Sequence, residues 1–284
     1  MVNEYDKILS RISVRRYKTA KLSQTELSEL KEFTCQIRGL IFENNFICNI
    51  FDYGGKEGIS SVLGTFGKIF RAPHFLAPYI TGIIHSSLDL GYRSQEIVLE
   101  LWKKGIGSCY IGCIHNQRRV KNSLHLPENA TIISTIVFGF PSEDQSKYLY
   151  QKISQIFTRS KSRLEPSRLF INHTNFKQVL QNEIFNRIIE AGRYAPSATN
   201  TQPWRFDIQD DWFIMYAKRK TIGKIYDLDQ EYIFHDTGIC MANMSHAAQA
   251  LGKQLNWELL EIGDQLIKNN LLPVARFSIK EILN

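Results

Sequence analysis

Ala195-Pro-Ser-Ala-Thr-Asn-Thr-Gln-Pro-Trp-Arg-Phe206 sets two prolines, Pro196 and Pro203, around Ser197, Thr199, Asn200, Thr201 and Gln202. A helical pattern precedes it, with Ile184, Phe185, Ile188 and Ile189 on one face, and two strand-like runs follow, Phe206 to Ile208 and Phe213 to Tyr216. The prolines keep the intervening backbone irregular and rich in exposed donors and acceptors. Asn200 offers both a donor and an acceptor, which suits the edge of a flat heterocycle. The plainer alternative is a polar turn anchored in the core by Trp204.

Working outward, a second apolar helix is expected from about Thr237 to Leu251, closing at Gly252. The first half of the chain shows the same order. Ser23-Gln-Thr-Glu26 reads as a capping box opening a helix with Leu27, Leu30, Phe33 and Ile37 on one face. Phe46 to Tyr53 and Tyr79 to Ile84 read as strands, separated by a glycine-rich segment from Gly54 to Gly67. A buried helix is expected from Asp89 to Lys104, stopping at Gly105, then a β-branched strand over Thr131 to Phe138. Asp89-Leu-Gly91 and Asp236-Thr-Gly238 are expected to open the two central helices, and Gly105 and Gly252 to end them. The offsets agree: 238 − 91 = 147 and 252 − 105 = 147. An internal repeat near half the chain length implies two related units in tandem.

Two other segments are chemically unusual. In Arg11-Ile-Ser-Val-Arg15, a helix or helix-like turn would put positions 11 and 15 on one face, with Ser13 adding a hydroxyl. Two guanidiniums and a hydroxyl suit a phosphate, although a solvated basic segment reads the same way. Gly105-Ile-Gly-Ser-Cys-Tyr-Ile-Gly112 follows the buried helix, and its glycines allow close backbone approach to a ligand.

Composition narrows the classes. The 284 residues suit about two domains at roughly 150 residues each. With 43% hydrophobic and 22% charged residues, a disordered or disulfide-scaffold chain is excluded. The net charge of +7 is spread over short clusters, which argues against a nucleic-acid platform and leaves that class a remote alternative. Five cysteines, an odd number with no Cys-x-x-Cys pair, fit reduced thiols; no metal site is expected at Cys109, Cys113 and His115. No apolar signal core opens the chain and no run suits a membrane span, so a cytoplasmic protein is expected.

Together these segments resemble the nitroreductase-like flavin oxidoreductases. Arg11-Ile-Ser-Val-Arg15 is similar to their Arg-Arg-Ser-x-Arg signature, and Ala195 to Phe206 matches their most recognisable motif almost residue for residue. Gly105 to Gly112 is similar to their Gly-Leu-Gly-Thr-Cys-Trp-Ile-Gly segment, Phe138-Gly-Phe-Pro141 to their Leu-Gly-Tyr-Pro strand end, and Lys161-Ser-Arg163 to their basic pair. The order departs from the common pattern. The Pro-Ser-x-x-Asn loop usually follows the arginine motif closely, whereas here that place reads Gln36-Ile-Arg-Gly-Leu-Ile-Phe-Glu-Asn-Asn45. A second departure is Ile12, where the family often has Arg or His.

The resemblance implies an α+β, nitroreductase-like fold with mostly antiparallel sheets packed by helices. It further implies two related halves, 1–164 and 165–284, fused as a pseudo-dimer with one shared flavin site. Arg11, Ser13, Arg15, Lys161 and Arg163 would hold the FMN phosphate and neighbouring polar groups. Pro196, Ser197, Ala198 and Asn200 would line the isoalloxazine ring, and Tyr110, Ile111 and Gly112 would face its reactive edge. The implied activity passes hydride from NAD(P)H through non-covalent FMN to an electron-poor acceptor such as a nitroaromatic or quinone. The flavin carries that chemistry, so no catalytic side chain is named. A flavin-binding relative without reductase turnover is the alternative. A monomer suffices on this reading, and a homodimer is compatible with it.

Overall fold

The computed structural model describes residues 3–52, 72–82, 84–113, 117–143, 163–172, 176, 181–219, 226–261 and 270–283. The chain divides into two compact units, Ser10–Gln155 and Met1–Leu9 with Ile156–Asn284. The first nine residues therefore group with the C-terminal unit, unlike the expected division after 164. The reason is local: on α1 (Glu4–Ser10) the Tyr5 hydroxyl donates to the Arg187 carbonyl at 3.0 Å. The Arg187 guanidinium also lies 4.1 Å from the Tyr5 ring centroid.

In the Ser10–Gln155 unit, α2 (Gln24–Gln36) opens with the expected capping box, Ser23 and Glu26 each bonding the other's backbone N–H. β1 (Asn45–Asp52) and β2 (His74–Thr81) pair antiparallel along their whole length. β2 begins earlier than expected and stops at Thr81. Then come α3 (Ser86–Lys103), β3 (Gly107–Gly112), α4 (Gln117–Leu124), β4 (Ala130–Thr131) and β5 (Ser134–Gly139). The sheet order is β1-β2-β5-β3, with β4 also on β2. The strand expected over 131–138 is thus two strands. Their break falls between the β2 pairings at Leu76 and Ile80, beside Pro78, which has no N–H to donate.

The other unit carries α5 (Pro166–Leu169), α6 (Glu183–Arg193), a 3-10 turn at Ala198–Asn200, β6 (Trp204–Gln209) and β7 (Trp212–Lys218). After these come α7 (Tyr226–Ala250), β8 (Glu258–Leu259), β9 (Leu271–Ser278) and α8 (Lys280–Leu283). Its sheet is also antiparallel, ordered β6-β7-β9-β8. Asp236-Thr-Gly238 lies inside α7 rather than opening it, because the helix starts a further ten residues upstream, at Tyr226. β9 supplies Phe277, which stacks on Phe213 at 4.8 Å and meets Trp257 edge-on at 4.9 Å in the core of this unit.

Both central helices end alike. Gly105 and Gly252 have φ of 74° and 75°, a left-handed conformation costly for other residues. Beyond them the N–H of Ile106 reaches the Leu101 carbonyl at 2.9 Å, and that of Lys253 reaches Ala248 at 2.8 Å. These are the closing bonds of a Schellman motif, repeated at the same offset.

Candidate active site

Arg11 to Tyr17 does not form the expected helical turn. α1 ends at Ser10, and the segment runs along the sheet margin instead. Ser13 bridges Ser108 in parallel, the Val14 N–H donates to the Ser108 carbonyl at 2.9 Å, and Tyr17 bridges Pro141. β-branched Ile12 and Val14 favour this extended form, and Val14 is fully buried. Arg11, Ser13 and Arg15 nonetheless all come close enough to Cys109 to act on its thiol.

The electrostatics of this cluster are unusual. Arg11 is only 6% exposed, and its Nε is buried with no hydrogen-bond partner. Burial pushes its pKa down, while Tyr110 and Cys109 pull it up and Arg15 pushes it down further. Arg15 is exposed. Burial also raises the Cys109 thiol, against the pull of Arg15, Arg11 and a hydrogen bond with Ser13. On β3, the Tyr110 hydroxyl donates to Gln95 Oε1 at 3.0 Å, Ile111 is buried and Gly112 is exposed. The structure therefore gathers Arg11, Ser13 and Arg15 beside the Cys109–Tyr110 stretch of β3. A buried cation with an unused donor is costly unless an anion completes it.

The proline-bracketed loop is built differently. Thr199, Asn200 and Gln202 have φ of 49°, 58° and 48°, a left-handed cluster that Asn tolerates but Thr and Gln seldom adopt. Such strain persists only where surrounding contacts over-determine it. Gln202, 3% exposed, takes the Leu164 N–H on Oε1 at 2.9 Å, donates through Nε2 to the Asn200 carbonyl, and gives its own N–H to Ser197 Oγ. Arg163 donates to the carbonyls of Ala195 at 2.6 Å and Tyr194 at 2.9 Å, and to Asn200 Oδ1 at 3.2 Å. From α7, Asp236 accepts the Ala198 N–H at 2.8 Å. Trp204 is fully buried, as a core anchor would be.

Arg163 thus grips the loop itself in this structure, and Lys161 lies outside the described residues, as does the Gly54 to Gly67 segment. Neither Gln202 nor Asp236 stands among the sequence-derived site residues. Gln202 lies inside the quoted motif, and Asp236 marks the repeat; those were the signals available. Among the described residues, no group of three or more His, Cys, Asp and Glu side chains could hold a metal ion. Among them too, no helix is long and apolar enough to cross a membrane.

The fold and these two motif-bearing segments define a nitroreductase-type chain. The family model "Putative TM nitroreductase" matches residues 3–240, and the chain belongs to that family. A "putative nitroreductase" structure from Thermotoga maritima is 18% identical, with a TM-score of 0.59, covering 97% of this chain and 93% of that one. It shares the α+β nitroreductase fold. An FMN-dependent nitroreductase from Clostridium difficile is 19% identical with a TM-score of 0.41, covering 50% of this chain and 88% of its own. Nitroreductase A from Vibrio parahaemolyticus is 17% identical with a TM-score of 0.43, covering 56% and 87%. No curated protein matches the chain.

Proposed function

We propose that this chain is an FMN-dependent NAD(P)H oxidoreductase of two related half-units, working on a small electron-poor acceptor such as a nitroaromatic or quinone in a reducing, cytoplasmic compartment. The observation that carries the reading is the buried Arg11 guanidinium, whose Nε has no partner, grouped with Ser13 and Arg15. On the motif resemblance, this cluster and the Pro196–Asn200 loop would each serve the flavin.

Arg11, Ser13 and Arg15 would hold the FMN phosphate, with Lys161 completing the charge and Arg163 supporting through the loop. A dianion there gives Arg11 the charge-assisted hydrogen bond it lacks. Pro196, Ser197, Ala198 and Asn200 would orient the ring, and the Tyr110–Gly112 backbone would face its reactive edge. FMN held there would supply two-electron hydride chemistry between a nicotinamide and the acceptor. The protein's part is to orient and shield. The test is a flavin-fluorescence titration with FMN and riboflavin. FMN is expected to bind more tightly, with the advantage shrinking in Arg15→Ala; equal affinities would remove the phosphate assignment.

A further inference from the structure

Two buried aspartates do the same thing in the two units. In one, Asp89 Oδ1 accepts the N–H of Leu40, shortly after the end of α2, at 2.7 Å. In the other, Asp236 Oδ2 accepts the N–H of Ala198, shortly after the end of α6, at 2.8 Å. Their positions differ by the repeat offset, 236 − 89 = 147.

Their surroundings diverge. The second oxygen of Asp89 takes Arg93 Nε and Asn44 Nδ2, both at 3.1 Å. Arg93 goes on to the carbonyls of Ile37 and Ile41, so that loop is held by its own neighbours. At the matching place stands Cys240, which bonds the Gly192 carbonyl of α6 instead. His235 lies beside Asp236, with Nδ1 3.7 Å from Oδ1. Keeping a carboxyl buried there is costly, and burial pushes Asp236 up while His235 and the Ala198 N–H pull it down.

One peptide plane connects Asp236 to Asn200. The Ala198 N–H points to Asp236, and the carbonyl of the same peptide, from Ser197, accepts the Asn200 N–H at 3.0 Å. Fixing the N–H end of a rigid peptide fixes its carbonyl end, and hydrogen bonds in such a chain polarise one another. We propose that Asp236 is a positioning residue that, through the Ser197–Ala198 peptide, sets Asn200 in its left-handed conformation and preforms the loop for the isoalloxazine ring. This inference rests on the FMN reading above. Asp89 is its structural counterpart, on a loop without the motif.

The test uses the full chain with Asp236→Ala, Asp236→Asn and Ala198→Pro. Ser197, with φ −146° and ψ 158°, is in the extended region that a following proline requires, and proline at 198 deletes the donor N–H. Asp236→Ala is expected to weaken FMN binding by about tenfold or more, and to alter the visible circular dichroism of the bound flavin. Asp236→Asn, which keeps an acceptor oxygen, is expected to stay within about threefold of the parent. Ala198→Pro is expected to copy Asp236→Ala, with the double variant no worse than the poorer single. A folded Asp236→Ala chain that binds FMN like the parent with an unchanged spectrum overturns the proposal. So does additivity in the double variant. If Asp236→Ala does not fold, parental binding by Ala198→Pro overturns it. If the parent itself binds no FMN, the FMN reading fails, and exchange of the Asn200 amide decides the latch: faster exchange in Ala198→Pro supports it, and unchanged exchange contradicts it.

Discussion

Val14 lies directly over Gly107: a Cβ built on that glycine would stand 2.6 Å from Val14 Cγ2. The contact seats the Arg11–Tyr17 segment against the start of β3, where Val14 also bonds Ser108. A residue at 107 with any side chain would push that segment outward.

Gly107→Ala is therefore expected to destabilise the chain by about 1–3 kcal/mol, the usual cost of overpacking, and to weaken FMN binding as well. Denaturant unfolding measures the first and flavin titration the second. A variant as stable as the parent would show that the segment is not held there.

Arg11→Met should move stability and binding in opposite directions. The methionine fills similar volume without a buried charge, so the Tm of the cofactor-free protein is expected to rise. FMN affinity is expected to fall by about 1.5–3 kcal/mol, the range for a hydrogen bond to a charged group. Thermal melts with and without FMN read both. A fall in the cofactor-free Tm would mean that the guanidinium stabilises the resting fold instead.

A third expectation concerns acid. His74 is fully buried; its Nδ1–H donates to Asp52 Oδ1 at 2.8 Å, and its Nε2 accepts the Leu22 N–H at 3.0 Å. Burial lowers its pKa, outweighing Asp52, and Lys21 adds to the lowering. The unfolded chain protonates this imidazole near 6.5, so it binds more protons than the folded chain just below that pH. His74's contribution to stability therefore falls as pH drops through about 6.5. Urea midpoints are expected to show this slope, and His74→Gln to flatten it. An equal slope in the variant would assign the effect elsewhere.

The sequence was most legible where structure is local. The Ser23–Glu26 box, the helix around Ile188 and the closing glycines Gly105 and Gly252 all depend on neighbours within a turn or two. The Arg11–Arg15 segment was misread because Arg-Ile-Ser-Val-Arg suits helical and extended spacing equally. What decides is the bond from Val14 to Ser108, remote in sequence. β9 is not among the elements expected from the sequence, and its Pro273 is unusual for a central strand. The ladder accommodates it with a register shift between Met215 and Tyr216. In the candidate site, the quoted loop residues form one strained turn. The side chains that hold it, Asp236 from α7 and Arg163 from upstream, reach it through tertiary contacts that no spacing announces.

The most direct measurement is to supply FMN to the purified chain, remove unbound flavin, and record absorption before and after anaerobic addition of NADH and NADPH. The expected result is one FMN per chain, identified by mass after release, whose visible absorption is bleached by at least one nicotinamide. A chain that retains no flavin, retains two, or holds one that neither nicotinamide reduces would contradict the account.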